Sequence, residues 1–271
     1  MMESRTPAYG LWNGIPHTYV AEIIAGSGFD WVCIDAEHSP FDFVSTLTNL
    51  QAIQSHSVSA IVRIPELSVA YIKQLLDLGA LNILVPMIES VEQAELFVQA
   101  MHYPPQGIRG VGTAIARGAQ WNRVDNYFEK AGNEVYPIGQ IESIKGVEAL
   151  DDILKVEGLD VLFIGPADLA ATMGYLGKPS QQEVVDLVKT CIQKINATGK
   201  VAGFLTGSKE LAKEYQDAGA LMIGIGLDTL LLSKAASKLA SDFNSNLNTD
   251  CLLYTSPSPR DATLSRMPSS A

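Results

Sequence analysis

The chain has 271 residues, with 19 Lys+Arg against 30 Asp+Glu and a formal net charge of −11. A chain this long buries roughly 70 to 75% of the surface its unfolded form exposes, so a core needs neither disulfide nor structural metal. The acidic balance, with no run of Lys and Arg, disfavours nucleic acid as the main partner, because neutralising phosphates takes a basic face.

With 47% apolar and 18% charged residues, the composition suits strands buried on both faces, which read as continuous apolar runs. Such runs occur in order at Tyr9–Trp12, Trp31–Ile34, Ala60–Ile64, Asn82–Val85, Val135–Ile141, Val161–Ile164, Val201–Phe204 and Leu221–Ile225. Between them lie helical patterns. Val69, Ile72, Leu75 and Leu76 recur at three- and four-residue spacing over Ser68–Leu78, as do Val91, Ala94, Phe97 and Val98 over Ser90–Met101. The joints Gly28-Phe-Asp-Trp, Gly79-Ala-Leu-Asn, Gly158-Leu-Asp-Val and Gly219-Ala-Leu-Met each put a glycine after a helix and an apolar strand beyond it. Glycine suits the position after a helix because it takes the left-handed conformation without a Cβ clash.

Alternating strands and helices imply a parallel sheet with right-handed crossovers, and eight such units in about 240 residues predict a closed (β/α)8 TIM barrel. An open doubly wound sheet is disfavoured because the first strand is not followed by GxGxxG. Residues Tyr103–Asn133, with Pro104 and Pro105, form a long connection read as a partly helical active-site loop. Its Gly107-Ile-Arg-Gly110-Val-Gly112 follows no clear strand, so a barrel loop is favoured over a phosphate loop.

The expected domain is a single barrel over residues 1–246. Residues 247–271, rich in Ser, Pro and Thr without periodicity, are read as a disordered, non-native tail resembling vector read-through. Cys33, Cys191 and Cys251 form no CxxC pair, Met1–Gly10 lacks an apolar signal core, and no apolar run reaches the ~20 residues of a membrane span. A soluble protein of the reducing cytoplasm, acting on small molecules, fits best.

Barrel enzymes gather working groups at the C-terminal ends of the strands. That filter selects Asp35, Glu37 and His38 after the second strand, Arg63 at the end of the third, Gln140 and Glu142 at the end of the fifth, and Asp168 after the sixth. No lysine stands at a strand end, which argues against Schiff-base chemistry. Glu142 and Asp168, from adjacent strands, can hold a hard divalent cation through oxygen while leaving positions for water and substrate. Such an ion can stabilise the enolate of a 2-oxo acid. Magnesium, manganese or cobalt would suit these ligands.

His38 is the natural proton handler, the alternative being a plain loop histidine. Arg63 offers a planar charged fork for an oxyanion, the alternative being a salt bridge between barrel and helices. Asp35 is equally a group that orients the site or a cap for the next helix, and periodicity reads Asp77 as an exposed helix residue. His17, His56 and His102 have no acidic partner nearby in sequence and stay structural.

Together, Gly28-Phe-Asp-Trp-Val-Cys-Ile-Asp35-Ala-Glu37-His38, Val62-Arg63, Ile83-Leu-Val-Pro86-Met, Tyr103-Pro-Pro-Gln-Gly-Ile-Arg109-Gly-Val-Gly, Gln140-Ile-Glu142 and Phe163-Ile-Gly165-Pro-Ala-Asp168-Leu resemble the HpcH/HpaI family of class II pyruvate aldolases. The resemblance spans about Tyr9–Phe243. It implies a barrel of the phosphoenolpyruvate/pyruvate-binding type and a metal-dependent lyase that reversibly cleaves a 4-hydroxy-2-oxo acid into pyruvate and an aldehyde. Oxaloacetate decarboxylase, macrophomate-synthase-like or acyl-CoA lyase chemistry through the same enolate is the alternative.

The same resemblance makes His38 the acid/base, Arg63 the oxyanion stabiliser and Asp77 the group that raises the histidine's basicity. It gives Glu142 and Asp168 to the metal, and Gln140 and the backbone at Ala167 to the 2-oxo acid. It also implies a homohexamer in which the last helix, Asp228–Asp242, is exchanged between neighbours.

Overall fold

A computed structural model describes residues 6–244. Eight parallel strands close into one barrel in chain order: β1 (Ala8–Asn13), β2 (Trp31–Asp35), β3 (Ser59–Arg63), β4 (Asn82–Val85), β5 (Tyr136–Ile141), β6 (Val161–Ile164), β7 (Val201–Leu205) and β8 (Met222–Leu227). This is the expected (β/α)8 barrel. Every predicted strand is present, two of them with the predicted ends, because a strand covered on both faces leaves an unbroken apolar run. The glycines of the four joints, Gly28, Gly79, Gly158 and Gly219, all have φ between +80° and +107°, the backbone for which an αβ joint selects glycine.

Two apolar layers hold the barrel. Inside it, Trp12, Trp31, Cys33, Ile61, Leu84, Phe163 and Met222 form one cluster, the filled interior that small barrels require. Gly10 is there for space, because a Cβ would overlap the Trp31 ring. The second cluster packs the outer strand faces, such as Val32, Ile34, Val62 and Ile83, against Ile72, Leu75, Phe97, Val188 and Ile192 of the surrounding helices.

The closing seam between β1 and β8 is pinned at its C-terminal end by buried Asp228. Its Oδ1 accepts from the N–H groups of Gly14 (2.8 Å) and Thr229 (2.7 Å), and its Oδ2 from Asn13 Nδ2 (2.9 Å) and Ile15 N–H (3.0 Å).

The barrel unit runs to Leu231, and residues from Leu232 onward form a second unit. Its described residues up to Phe243 belong to the helix Asp228–Phe243, on which Leu232, Leu239 and Phe243 are exposed. The expected tail from residue 247 lies outside the described residues.

The long connection departs from its expected place. It is partly helical, with single turns at Gln120–Asn122, Tyr127–Lys130 and Ala131–Asn133. It runs, however, from the end of the helix Val91–Met101 to the start of β5, so both its ends lie at the N-terminal face of the barrel, away from the C-terminal ends of the strands. There Gly118 N–H donates to the Asp77 carbonyl (2.9 Å) and Arg117 Nη1 to the Leu78 carbonyl (2.8 Å). Among the described residues no helix is long and apolar enough to cross a membrane.

Candidate active site

The C-terminal mouth of the barrel brings together most of the residues expected there. Asp35 and Arg63 are paired in register across β2 and β3, and register decides their contact. Arg63 Nε donates to Asp35 Oδ1 (2.9 Å) and Nη2 to Asp35 Oδ2 (2.7 Å), a two-pronged bond between buried groups. On the other side Nη1 lies 2.8 Å from Glu37 Oε2, yet that oxygen has no aligned hydrogen bond. Nη1 therefore keeps donor capacity for an incoming oxygen. The guanidinium also lies 5.6 Å from the centre of the Trp12 ring. Burial opposes its charge, and the hydrogen bonds of Asp35 with the charges of Asp35 and Glu37 more than offset that, raising its proton affinity.

Asp35 thus serves the site and is not a helix cap; Asp42 caps the following helix. Its Oδ1 also accepts from the backbone N–H groups of Glu37 (3.1 Å) and His38 (3.3 Å), fixing the turn that carries both side chains. His38 is exposed at the mouth, with Nε2 3.8 Å from Glu37 Oε1. Glu37, half-buried, is held above the usual carboxylate range mainly by burial, which Arg63 and His38 oppose and Asp35 and Asp168 reinforce.

Across the mouth Glu142 is buried at the end of β5. Its Oε1 accepts from Met87 N–H (3.0 Å) and its Oε2 from the amide of Gln140. Burial, with the nearby charges of Glu37 and Asp168, pushes its pKa from 4.5 to about 7, while the Met87 N–H pulls the other way. Asp168 and Ala167 are exposed in the first turn of the helix Pro166–Thr172, which starts directly after β6. A buried Glu142 beside Glu37 and Asp168 gives an oxygen donor set of the kind that suits a hard divalent ion. Among the described residues no three of His, Cys, Asp and Glu are arranged to hold an ion. The carboxylates at the mouth that could hold such an ion are Glu142 and Asp168.

Asp77, expected at the site, does not lie at this mouth. It ends the helix leading into β4, so it stands at the opposite end of the barrel from His38. It is also half-buried where periodicity reads it as exposed, because its Oδ1 accepts from Arg109 Nη2 (3.0 Å). Arg109 is itself buried, stacked 4.4 Å from the Tyr103 ring and bonded to Tyr127 Oη (3.3 Å).

Strand-end logic applied to β1 would have found Trp12. Met87 and Gly165 fall inside sequence blocks of the family resemblance, but the sequence alone assigns neither a role. Gly165 has φ −99° and ψ 90°, open to any residue, so glycine stands there for space. A Cβ would overlap the Glu142 carboxylate and lie 2.7 Å from Glu142 Cβ and 2.9 Å from Gln140 Nε2.

Comparison with known proteins gives the family and the fold. The sequence profile of the HpcH/HpaI aldolase/citrate lyase family matches residues 8–235. The hydroxypyruvate/pyruvate aldolase of Deinococcus radiodurans is 48% identical over 237 residues, covering 88% of this chain and 86% of that protein. The 4-hydroxy-2-oxo-heptane-1,7-dioate aldolase of Klebsiella pneumoniae is 44% identical over 248 residues, covering 92% and 94%. A solved HpcH/HpaI aldolase/citrate lyase family protein from Burkholderia cenocepacia superposes with a TM-score of 0.85 at 32% identity, covering 88% of this chain and 95% of that one. With the barrel and a profile spanning nearly all the described residues in agreement, the chain belongs to the HpcH/HpaI aldolase/citrate lyase family.

Proposed function

We propose that the protein is a divalent-cation-dependent aldolase that reversibly cleaves a 4-hydroxy-2-oxo acid into pyruvate and an aldehyde. The observation that carries this is the gathering of two groups at one mouth: an arginine with donor capacity to spare, and a buried glutamate among other carboxylates. Glu142 and Asp168 would hold magnesium, manganese or cobalt, which supplies a charge that lowers the cost of forming an enolate from the bound keto acid. The second amide hydrogen of Gln140 and the backbone at Ala167 bind the 2-oxo acid.

In the cleavage direction His38 accepts the proton of the C4 hydroxyl, the C3–C4 bond breaks, and its electron pair moves into the pyruvate enolate as the aldehyde leaves. A proton then returns to C3. Arg63 donates to the C4 oxygen while it carries charge, and the Asp35 clamp keeps the fork aimed.

The working form we propose is a homohexamer in the cytoplasm with the last helix exchanged. In keeping with this, the helix Asp228–Phe243 leaves Leu230, Leu231, Leu232, Leu239 and Phe243 exposed. In such an assembly Asp77 would act on the His38 of a neighbouring copy.

A screen of 4-hydroxy-2-oxo acids coupled to pyruvate detection tests the proposal. Turnover is expected to disappear in EDTA and return with added magnesium or manganese, and borohydride with pyruvate is expected to leave no covalent adduct. Turnover that survives chelation, or a trapped adduct, overturns it; pyruvate from oxaloacetate alone would favour the decarboxylase instead.

The raised pKa of Glu142 gives a pH test. Moving from 4.5 to about 7 on folding means that the fold disfavours the ionised form. The penalty is absent below the unfolded value and reaches roughly 3 kcal/mol above the folded one. The cation-free protein therefore loses this stability as pH rises between those values, and a cation that binds ionised Glu142 restores it. The gain in Tm on adding manganese is expected to be larger at about pH 8 than at about pH 5.5. A gain that does not grow with pH, followed by scanning calorimetry, counts against Glu142 as the ligand.

A further inference from the structure

The segment leaving β4, residues 86–90, is stitched to the end of β5 at three successive residues. Met87 N–H donates to Glu142 Oε1 (3.0 Å) and Ile88 N–H to the Gln140 carbonyl (2.9 Å). Glu89 receives the Ser143 hydroxyl on Oε1 (2.6 Å) and the Lys145 ammonium on Oε2 (3.2 Å). Ile88 is fully buried, and Gly146 leaves no slack behind it, since a Cβ there would lie 2.8 Å from the Ile88 carbonyl oxygen.

Met87 sits between these anchors with φ at +52°. For a residue with a Cβ and no local side-chain hydrogen bond, that backbone costs roughly 1 to 2 kcal/mol, and it persists only where the surroundings impose it. Met87 is 43% exposed, so side-chain packing does not impose the strain. What the left-handed turn achieves is the direction of its N–H, which meets the Glu142 oxygen that Gln140 does not hold.

We propose that Met87 and Glu89 are positioning residues: the 86–90 segment is a clamp that fixes the Glu142 carboxylate in the orientation that takes the divalent cation, Met87 through its left-handed backbone and Glu89 by tying the segment to Ser143. This rests on Glu142 and Asp168 being the cation ligands. Groups that orient a metal ligand in this way typically alter metal affinity about ten- to a hundredfold when removed.

The test is manganese affinity of the substrate-free, full-length protein, read from the paramagnetic resonance signal of free Mn2+. Met87→Val is compared with Met87→Gly, and Glu89→Ala with Glu89→Gln. Valine resists a positive φ and should rotate the N–H away, whereas glycine adopts it freely. Glutamine keeps an oxygen for the Ser143 hydroxyl. Expected are losses of about ten- to a hundredfold in Met87→Val and Glu89→Ala, against values within about threefold of the parent in Met87→Gly and Glu89→Gln.

If valine and glycine bind alike, the backbone role of Met87 is overturned; if Glu89→Gln is as weak as Glu89→Ala, the Ser143 tie is overturned. Should Met87→Val fail to melt cooperatively, the Glu89 pair carries the comparison. Parent protein that binds no manganese, or Glu142→Gln that binds as the parent does, would sink the cation reading itself and the clamp with it. That result is distinct from a parent that binds and clamp variants that bind equally well.

Discussion

Replacing Arg63 with alanine is expected to lower kcat/KM for retro-aldol cleavage by about a hundred- to a thousandfold, the size of loss seen when one preorganised oxyanion donor is removed. The loss should fall mainly on kcat, because the contact strengthens as charge develops on the C4 oxygen. The same change should cost about 3 to 5 kcal/mol of stability, since it leaves the buried carboxylate of Asp35 and the half-buried one of Glu37 without their cation.

Arg63→Lys separates the two effects. A lysine restores a positive charge between the carboxylates and should recover part of the stability. It has no fork to hold Asp35 through two nitrogens while still offering a hydrogen to substrate, so kcat should stay low. Chemical denaturation and steady-state pyruvate release on the same preparations check this. A Lys variant with the parent's kcat would mean that charge alone is needed.

Gly165→Ala should be nearly as damaging as losing Glu142 itself, although it adds one methyl group. The backbone tolerates alanine at φ −99°, so no unfolding through strain is expected, and overpacking should cost about 1 to 3 kcal/mol. The new Cβ would nevertheless occupy space held by the Glu142 side chain. That includes the Glu142 Cβ at 2.7 Å, which is fixed to β5 and has no rotamer to retreat into. The carboxylate must then turn away from Met87 and Gln140. The expected result is a loss of about a hundredfold or more in manganese affinity and in kcat/KM with a nearly unchanged far-UV spectrum. Calorimetric titration giving the parent's affinity would show that Glu142 has room elsewhere.

The sequence by itself determined the architecture. Eight doubly buried strands announce themselves as apolar runs and four helix-to-strand joints as positive-φ glycines, because both signals are local and each residue carries its own part. It also determined the chemical types at the strand ends, since a (β/α)8 barrel directs every βα loop to one face; Arg63, His38, Gln140, Glu142 and Asp168 were legible for that reason.

Only the tertiary structure decided how those groups are used. Whether Arg63 is shared between Asp35 and Glu37 depends on the register of β2 on β3. The N–H that reaches Glu142 comes from Met87, 55 residues away along the chain, and the need for glycine at 165 arises from a side chain on the neighbouring strand. Asp77 and the 103–133 connection fall on the far face because that is where a helix hands the chain back to a strand. Periodicity reports which side of an element is apolar and says nothing of what closing the barrel will set opposite it.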